Sequence, residues 1–172
     1  TVGGIINLGK IGALPTRNFR DPMFEGREGI SGQLMMDTIR IGRDTCAVCP
    51  VRCKQVVEYH DPDGRYTLDP VYGGPEYESM AALGSYCSVS SLHAMAKANE
   101  RCAAYGLDTI SAGNTIAFAM EAFEKGLLSE AAMEGIRPVW GNGDAIVQLL
   151  HKIGTREGIG ELLADGTRPA AE

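Results

Sequence analysis

Residues 91–126 read SLHAMAKANERCAAYGLDTISAGNTIAFAMEAFEKG, and this stretch decides the fold class. Its apolar residues recur at spacings of three and four, which is the period of an amphipathic helix. Small polar residues that cap helices precede each apolar run, and a glycine that ends a helix follows each run. The caps are Ser90 or Ser91 and Asp108 or Ser111, and the stops are Gly106 and Gly126. The stretch therefore predicts two consecutive helices.

Helical spacing continues on both sides of this pair. Four further helices are predicted: Ser31–Arg40 with a stop at Gly42, a brief helix that begins at Ser129 before Pro138, a helix capped by Asn142 that runs through Ile153, and a short helix around Gly158–Ala164. Most of the chain outside the first 30 residues is thus predicted to be helical.

Two segments depart from the helical pattern. Glycines and prolines interrupt Thr1–Arg27 so often that no period persists, which predicts extended or looping chain. Asp61-Pro62-Asp63-Gly64 fits a type I turn between Gln55–His60 and Arg65–Leu68, which predicts a β-hairpin. We therefore expect a mainly α fold, a helical bundle-like domain with one β-hairpin near a cysteine loop. The whole of 1–172 is one helical region, with 1–30 as an extended leading segment and 31–172 as the helical core.

Composition excludes several classes of protein. The 172 residues are 44% hydrophobic and 22% charged, which is typical of a globular domain and not of a disordered chain. The formal net charge of -6 disfavours binding to nucleic acid, and no apolar stretch approaches the length that spans a bilayer. Five cysteines, an odd number with three in one cluster, predict a reducing compartment, the cytoplasm.

The cysteine cluster is Cys46-Ala47-Val48-Cys49-Pro50-Val51-Arg52-Cys53, a C-x2-C-x3-C motif. Three thiolates within eight residues can converge on one metal centre. An iron–sulfur cubane and a structural zinc ion both need four ligands, and the absence of a second cysteine pair favours the cubane over zinc. The fourth ligand stays open among Cys87, Cys102, a non-cysteine group such as His60, and chain outside this sequence. For Cys87 and Cys102, apolar helical surroundings favour buried, inert thiols.

Five blocks, taken in order, resemble the tungsten-containing aldehyde ferredoxin oxidoreductase family. They are GALPTRNF at 12–19, the cysteine cluster at 46–53, GPEYES at 74–79, YGLDTIS at 105–111 and TREGIG at 155–160. The likeness covers nearly the whole chain. It implies an oxidoreductase that binds a tungsten or molybdenum bis-pterin and a [4Fe-4S] cluster. Such an enzyme oxidises small aldehydes to carboxylic acids and passes electrons to ferredoxin or an electron-transfer subunit.

The resemblance also assigns cluster ligands. In that family three clustered cysteines hold the [4Fe-4S] cluster, which implies this role for Cys46, Cys49 and Cys53, and the fourth ligand is a later cysteine. Family members are several-fold longer, so the chain corresponds to their middle helical domain. The resemblance thus implies that N- and C-terminal domains of the same enzyme lie outside it, and that the 172 residues alone are inactive.

Glu76 matches a family glutamate that lies close to the tungsten. A carboxylate in a partly desolvated site can accept the proton that oxidation of a carbonyl releases. The residues also allow a structural interpretation, in which Pro75 begins a helix while Glu76 and Glu78 complement its dipole.

Gly106, Leu107 and Asp108 match part of a D-x-x-G-L-D element that binds the pterin in that family. Glycine allows close backbone approach, and a carboxylate accepts hydrogen bonds from pterin N–H groups. Ala103 stands where the family has its first aspartate, which removes one expected contact. The alternative role of Asp108 is that of a helix N-cap.

Two other functions remain open at this point. One is that of a non-catalytic metal-binding helical module that holds zinc or an iron–sulfur cluster. The other lies within the family and has an aromatic thioester as the substrate, as in ring-reducing benzoyl-CoA reductase subunits.

Overall fold

The computed structural model describes residues 3–172, of which helices form the largest part. The first two residues of the predicted leading segment lie outside the described residues. The helices are α1 (Gly4–Lys10), α2 (Gly32–Thr38), α3 (Tyr77–Leu83), α4 (Leu92–Tyr105), α5 (Thr109–Glu124), α6 (Gly143–Thr155), α7 (Ile159–Ala164) and α8 (Thr167–Ala171). The strands are β1 (Arg40–Asp44), β2 (Lys54–Val57), β3 (Tyr59–His60) and β4 (Thr67–Leu68). The mainly α prediction is confirmed.

Side-chain caps are present at four helix starts, and the sequence predicted those of α4, α5 and α6. In each case a side-chain oxygen accepts a hydrogen bond from a backbone N–H three residues later, which satisfies a donor that the helix itself leaves free. The capping residues are Ser31 for α2, Ser91 for α4, Asp108 for α5 and Asn142 for α6. Local sequence thus determines where these four helices begin.

The leading segment differs from the prediction of extended chain. It contains α1 and a 3₁₀ helix at Glu25–Ile30. Ile5 is fully buried and Leu8 packs against the core, so tertiary contacts stabilise a seven-residue helix that is too short to show a period in the sequence.

The structure has two hairpins where the sequence predicted one. Strands β3 and β4 pair antiparallel across the predicted turn, which confirms the first. Strand β2 instead pairs with β1, with Arg43 opposite Gln55. The sequence concealed β1 because its one large apolar residue, Ile41, is exposed, so the strand carries no buried alternation. We call residues 40–57 the cysteine hairpin.

Helices α3, α4, α5 and α6 form the helical core. Its inward side chains are fully buried, among them Met80, Met95, Ile116, Met120 and Leu149. Within the described residues, no helix is long and apolar enough to cross a membrane.

Helices α3 and α5 run parallel and touch closely. The hydroxyl oxygens of Ser79 and Thr109, near the two helix starts, lie 2.9 Å apart. Further along both helices, a Cβ at Gly113 would lie 2.5 Å from the carbonyl oxygen of Ala82, so only glycine permits this approach. Because the two contacts advance along both helices together, the N-termini of α3 and α5 lie at the same end of the core.

Candidate functional site

The cysteine loop, Thr45–Cys53, joins β1 to β2 at the tip of the cysteine hairpin. The backbone N–H of Cys49 donates to the carbonyl of Cys46 at 3.1 Å, which closes a turn around the first two cysteines. The Thr45 hydroxyl donates to the carbonyl of Cys49 at 2.5 Å. Cys46 and Cys53 are exposed and Cys49 is half-buried. The fold therefore places three thiols on one accessible loop.

The thiols have the chemistry of metal ligands but do not form a ready-made site. Within residues 3–172, no group of three or more His, Cys, Asp or Glu side chains is arranged to hold a metal ion. Three thiols on one short loop still fit the donor set of an iron–sulfur cluster, which prefers thiolate ligands. The loop therefore offers suitable donors that would have to converge when a metal centre binds.

The other two cysteines behave differently. Cys87 and Cys102 are fully buried in the helical core. Burial raises the pKa of the Cys87 thiol far above its usual range and raises that of Cys102 to about 12. Both therefore remain protonated thiols, in agreement with the interpretation that they are inert. His60 lies on β3, and none of these three residues joins the loop cysteines in a metal-binding group within the described chain.

Glu76 lies in the segment that leads into α3, residues 73–76, which we call the Glu76 connection. It occupies the N-cap position of that helix but makes no side-chain capping bond, and Pro75 precedes the helix rather than beginning it. Its Oε1 atom is buried and finds no hydrogen-bond partner among residues 3–172. A buried carboxylate oxygen without a partner is costly, so capping does not explain the position of this side chain.

The Glu76 connection is fixed to the cysteine hairpin. The backbone N–H of Gly74 donates to the carbonyl of Gln55 on β2 at 2.8 Å. A Cβ at Gly74 would lie 2.8 Å from Cγ1 of Val57 and 3.0 Å from Cβ of Gln55, so the connection lies directly against the strand.

Gly106, Leu107 and Asp108 form the connection between α4 and α5. Gly106 ends α4 in the left-handed conformation, with φ 68°, and the N–H of Leu107 donates to the carbonyl of Cys102 at 2.8 Å. Asp108 accepts a hydrogen bond from the N–H of Ser111 at 2.7 Å, and this bond lowers the pKa of its carboxyl. The capping role of Asp108 is confirmed.

The structure brings two of the predicted site residues, Glu76 and Asp108, to one end of the helical core. Because the starts of α3 and α5 are joined through Ser79 and Thr109, Glu76 and Asp108 lie at the same end of the helical core. The cysteine hairpin contacts the Glu76 connection through Gln55, a residue that the sequence analysis missed. The sequence held one signal for it. Gln55 and the apolar Val57 are two residues apart, so in a strand their side chains lie on the same face.

Comparisons with known proteins agree on one family. The family model described as "Aldehyde ferredoxin oxidoreductase, domains 2 & 3" matches residues 1–172. The tungsten-containing aldehyde ferredoxin oxidoreductase of Thermococcus kodakarensis is 38% identical over 165 residues, covering 94% of this chain and 26% of that protein. The protein of the same name from Pyrococcus furiosus is 35% identical over 165 residues, with the same coverage.

A solved structure gives a similar result. A chain of the "Active site complex BamBC of Benzoyl Coenzyme A reductase in complex with 1,5 Dienoyl-CoA" superposes with a TM-score of 0.62 at 30% identity. The match covers 81% of this chain and 20% of that one. The chain thus spans about a quarter of the length of the aldehyde ferredoxin oxidoreductases that it matches. On the evidence of the match over all its residues, this chain belongs to the aldehyde ferredoxin oxidoreductase family.

Proposed function

We propose that the polypeptide containing this chain is a cytoplasmic tungstopterin oxidoreductase that oxidises aldehydes to carboxylic acids. The observation that carries the proposal is the family match along all 172 residues, together with identities of 35–38% to tungsten-containing aldehyde ferredoxin oxidoreductases. Conversion of an aldehyde and water to an acid releases two electrons and two protons. The electrons pass to ferredoxin or to a partner subunit.

Cys46, Cys49 and Cys53 would hold a [4Fe-4S] cluster, with a fourth ligand from outside the 172 residues. The support is their donor type and their position on one accessible loop. Gly106, Leu107 and Asp108 would contact the pterin of a tungsten bis-pterin. When bound, the pterin-held metal supplies two-electron oxidation at the carbonyl carbon, and the cluster supplies one-electron transfer away from it.

Glu76 is the proton acceptor in this proposal. Its buried Oε1 has no partner among the described residues, so it is free to take a proton from a bound substrate or water. Partial burial also limits competition from solvent. The pairing of α3 and α5 at their starts keeps Glu76 at the same end of the core as Asp108.

A second candidate is the reduction of an aromatic thioester. The similarity to a chain of the benzoyl coenzyme A reductase complex favours it, because that complex is described with a dienoyl-CoA bound. Substrate assays separate the two candidates. Aldehyde-dependent reduction of ferredoxin supports the first, and oxidation of reduced ferredoxin that depends on an aromatic thioester supports the second.

The test uses the complete polypeptide, purified without oxygen. Metal analysis and electron paramagnetic resonance are expected to find tungsten and an iron–sulfur cluster, and zinc without iron would overturn the proposal. Replacement Glu76→Gln should lower kcat by roughly 100-fold or more, the usual contribution of a general base, and leave the cluster signal intact. Glu78→Gln, at an exposed position in the first turn of α3, is the matched control and should retain wild-type turnover.

A further inference from the structure

Gln55 is a buried polar residue, and packing alone does not explain why a polar side chain occupies this position. It lies on β2 with only 2% of its surface exposed, in a register that it shares with the buried Val57. Its Oε1 finds no hydrogen-bond partner among residues 3–172. An unsatisfied buried acceptor destabilises the fold, so a methionine of similar volume would serve packing at least as well.

The hydrogen bonds of Gln55 reach two parts of the candidate site. Its side-chain Nε2 donates to the carbonyl of Cys53 at 2.6 Å. Its own backbone carbonyl accepts from the N–H of Gly74 at 2.8 Å. Cys53 is the last cysteine of the loop, and Gly74 lies two residues before Glu76. One residue therefore contacts both the cysteine loop and the Glu76 connection.

Three of the six buried side-chain polar atoms that lack a hydrogen-bond partner among residues 3–172 belong to the cysteine hairpin and the Glu76 connection. Besides Oε1 of Gln55, they include Oε1 of Glu76 and Nη1 of Arg40, none of which finds a partner within the described residues. Arg40 lies opposite Val57 across the hairpin, and Val57 packs against Gly74. A buried polar side chain that is left unsatisfied indicates a functional constraint rather than optimisation for stability.

We propose that Gln55 is a positioning residue that holds the cysteine loop and Glu76 at a fixed spacing. This inference rests on the proposed function, in which the loop carries the electron relay and Glu76 accepts the proton. The Nε2 bond fixes the backbone of the third cluster ligand, and the Gly74 bond with its close packing fixes the approach to Glu76. A displacement of β2 at Gln55 therefore moves both groups together.

The test is Gln55→Met in the complete, anaerobically purified polypeptide. Methionine keeps the volume of the side chain and removes both of its polar atoms. Because this variant loses the side-chain bond to Cys53 but keeps the backbone bond to Gly74, we expect the midpoint potential of the iron–sulfur centre, from a titration followed by electron paramagnetic resonance, to shift, while the acid limb of the kcat/KM profile keeps its wild-type position. Gln55→Asn keeps the amide but is too short by one methylene to reach Cys53, and it should shift the potential in the same direction if Gln55→Met does not fold.

Ser85→Ala is the matched control. Ser85 is also fully buried and donates to a backbone carbonyl, that of Ala81, but it lies beyond the other end of α3. It should lower thermal stability and leave the potential and the pH profile at their wild-type values. If the Gln55 variants likewise change thermal stability alone, the positioning role is refuted and the residue is merely structural. If the wild-type polypeptide has no cluster or no aldehyde activity, the proposed function itself fails, and this result is distinct from the first.

Discussion

The cysteine hairpin and the helical core differ in how deeply they bury their cysteines. Cys46 and Cys53 of the hairpin are exposed, whereas Cys87 and Cys102 of the core are fully buried. Neighbouring side chains of the core enclose its two thiols. The hairpin instead carries two exposed thiols and one half-buried thiol, together with exposed apolar residues of its tip, Val48 among them. The contrast separates a part of the chain that is determined by packing from a part in which thiols and apolar side chains stay accessible.

The largest expected effect is a difference in thiol reactivity. In the metal-free chain, the three loop thiols should react with iodoacetamide at least about 100-fold faster than Cys87 and Cys102, because alkylation needs an accessible thiolate. Burial makes the two core thiols inaccessible, and their raised pKa keeps them from forming the thiolate. Mass spectrometry of timed samples measures the five rates. Equal rates in the folded chain would break the comparison, whereas equal rates in denaturant are expected.

The next effect is on the free energy of unfolding. Met120→Ala should cost about 2–5 kcal/mol, since it empties a fully buried position in α5. Val48→Ala, at the exposed tip of the cysteine loop, should change the free energy by less than about 0.5 kcal/mol. Urea denaturation measures both values. A loss at Val48 similar to that at Met120 would mean that the loop is packed and that the two regions do not differ.

The same contrast explains what the sequence could predict. The starts of α4 and α5 were predicted because Ser91 and Asp108 act on backbone N–H groups only three residues away. Helix α1 and strand β1 were not predicted, because each is stabilised by residues distant in sequence. Ile5 is buried by the rest of the core, and β1 exists through its pairing with β2.

The residues of the candidate site likewise fall into those whose place the sequence could predict and those whose place it could not. The spacing of Cys46, Cys49 and Cys53 is visible in the sequence, so their place on one loop could be predicted. The role of Gln55 could not, because its contacts join Cys53 to Gly74 across a long stretch of intervening chain. For Glu76, the sequence suggested a helix start. Only the structure shows that its side chain makes no capping bond and has a buried oxygen without a partner among residues 3–172.

The smallest expected effect concerns Asp108, where capping and the proposed pterin contact fall on one side chain. Asp108→Ala should lower the free energy of unfolding by about 1 kcal/mol at neutral pH, the usual cost of losing an N-cap. The hydrogen bond from Ser111 lowers the pKa of the folded carboxyl, so the ionised cap stabilises the fold above the unfolded pKa. This stabilisation is lost as the pH falls through the folded pKa. Urea denaturation at neutral and acid pH should therefore show the wild type and Asp108→Ala converging in acid.

Asp108→Asn separates the two roles of this side chain. Asparagine caps a helix about as well as aspartate, so the variant should keep its stability at neutral pH and lose the acid dependence that comes from this carboxyl. If Asp108 only caps α5, the complete polypeptide carrying Asp108→Asn will bind as much pterin and tungsten as the wild type. If the carboxylate also accepts hydrogen bonds from the pterin, the variant will lose cofactor without losing stability, since an amide replaces one acceptor oxygen with a donor. Helix capping alone cannot produce that second result, because the cap is intact in both proteins.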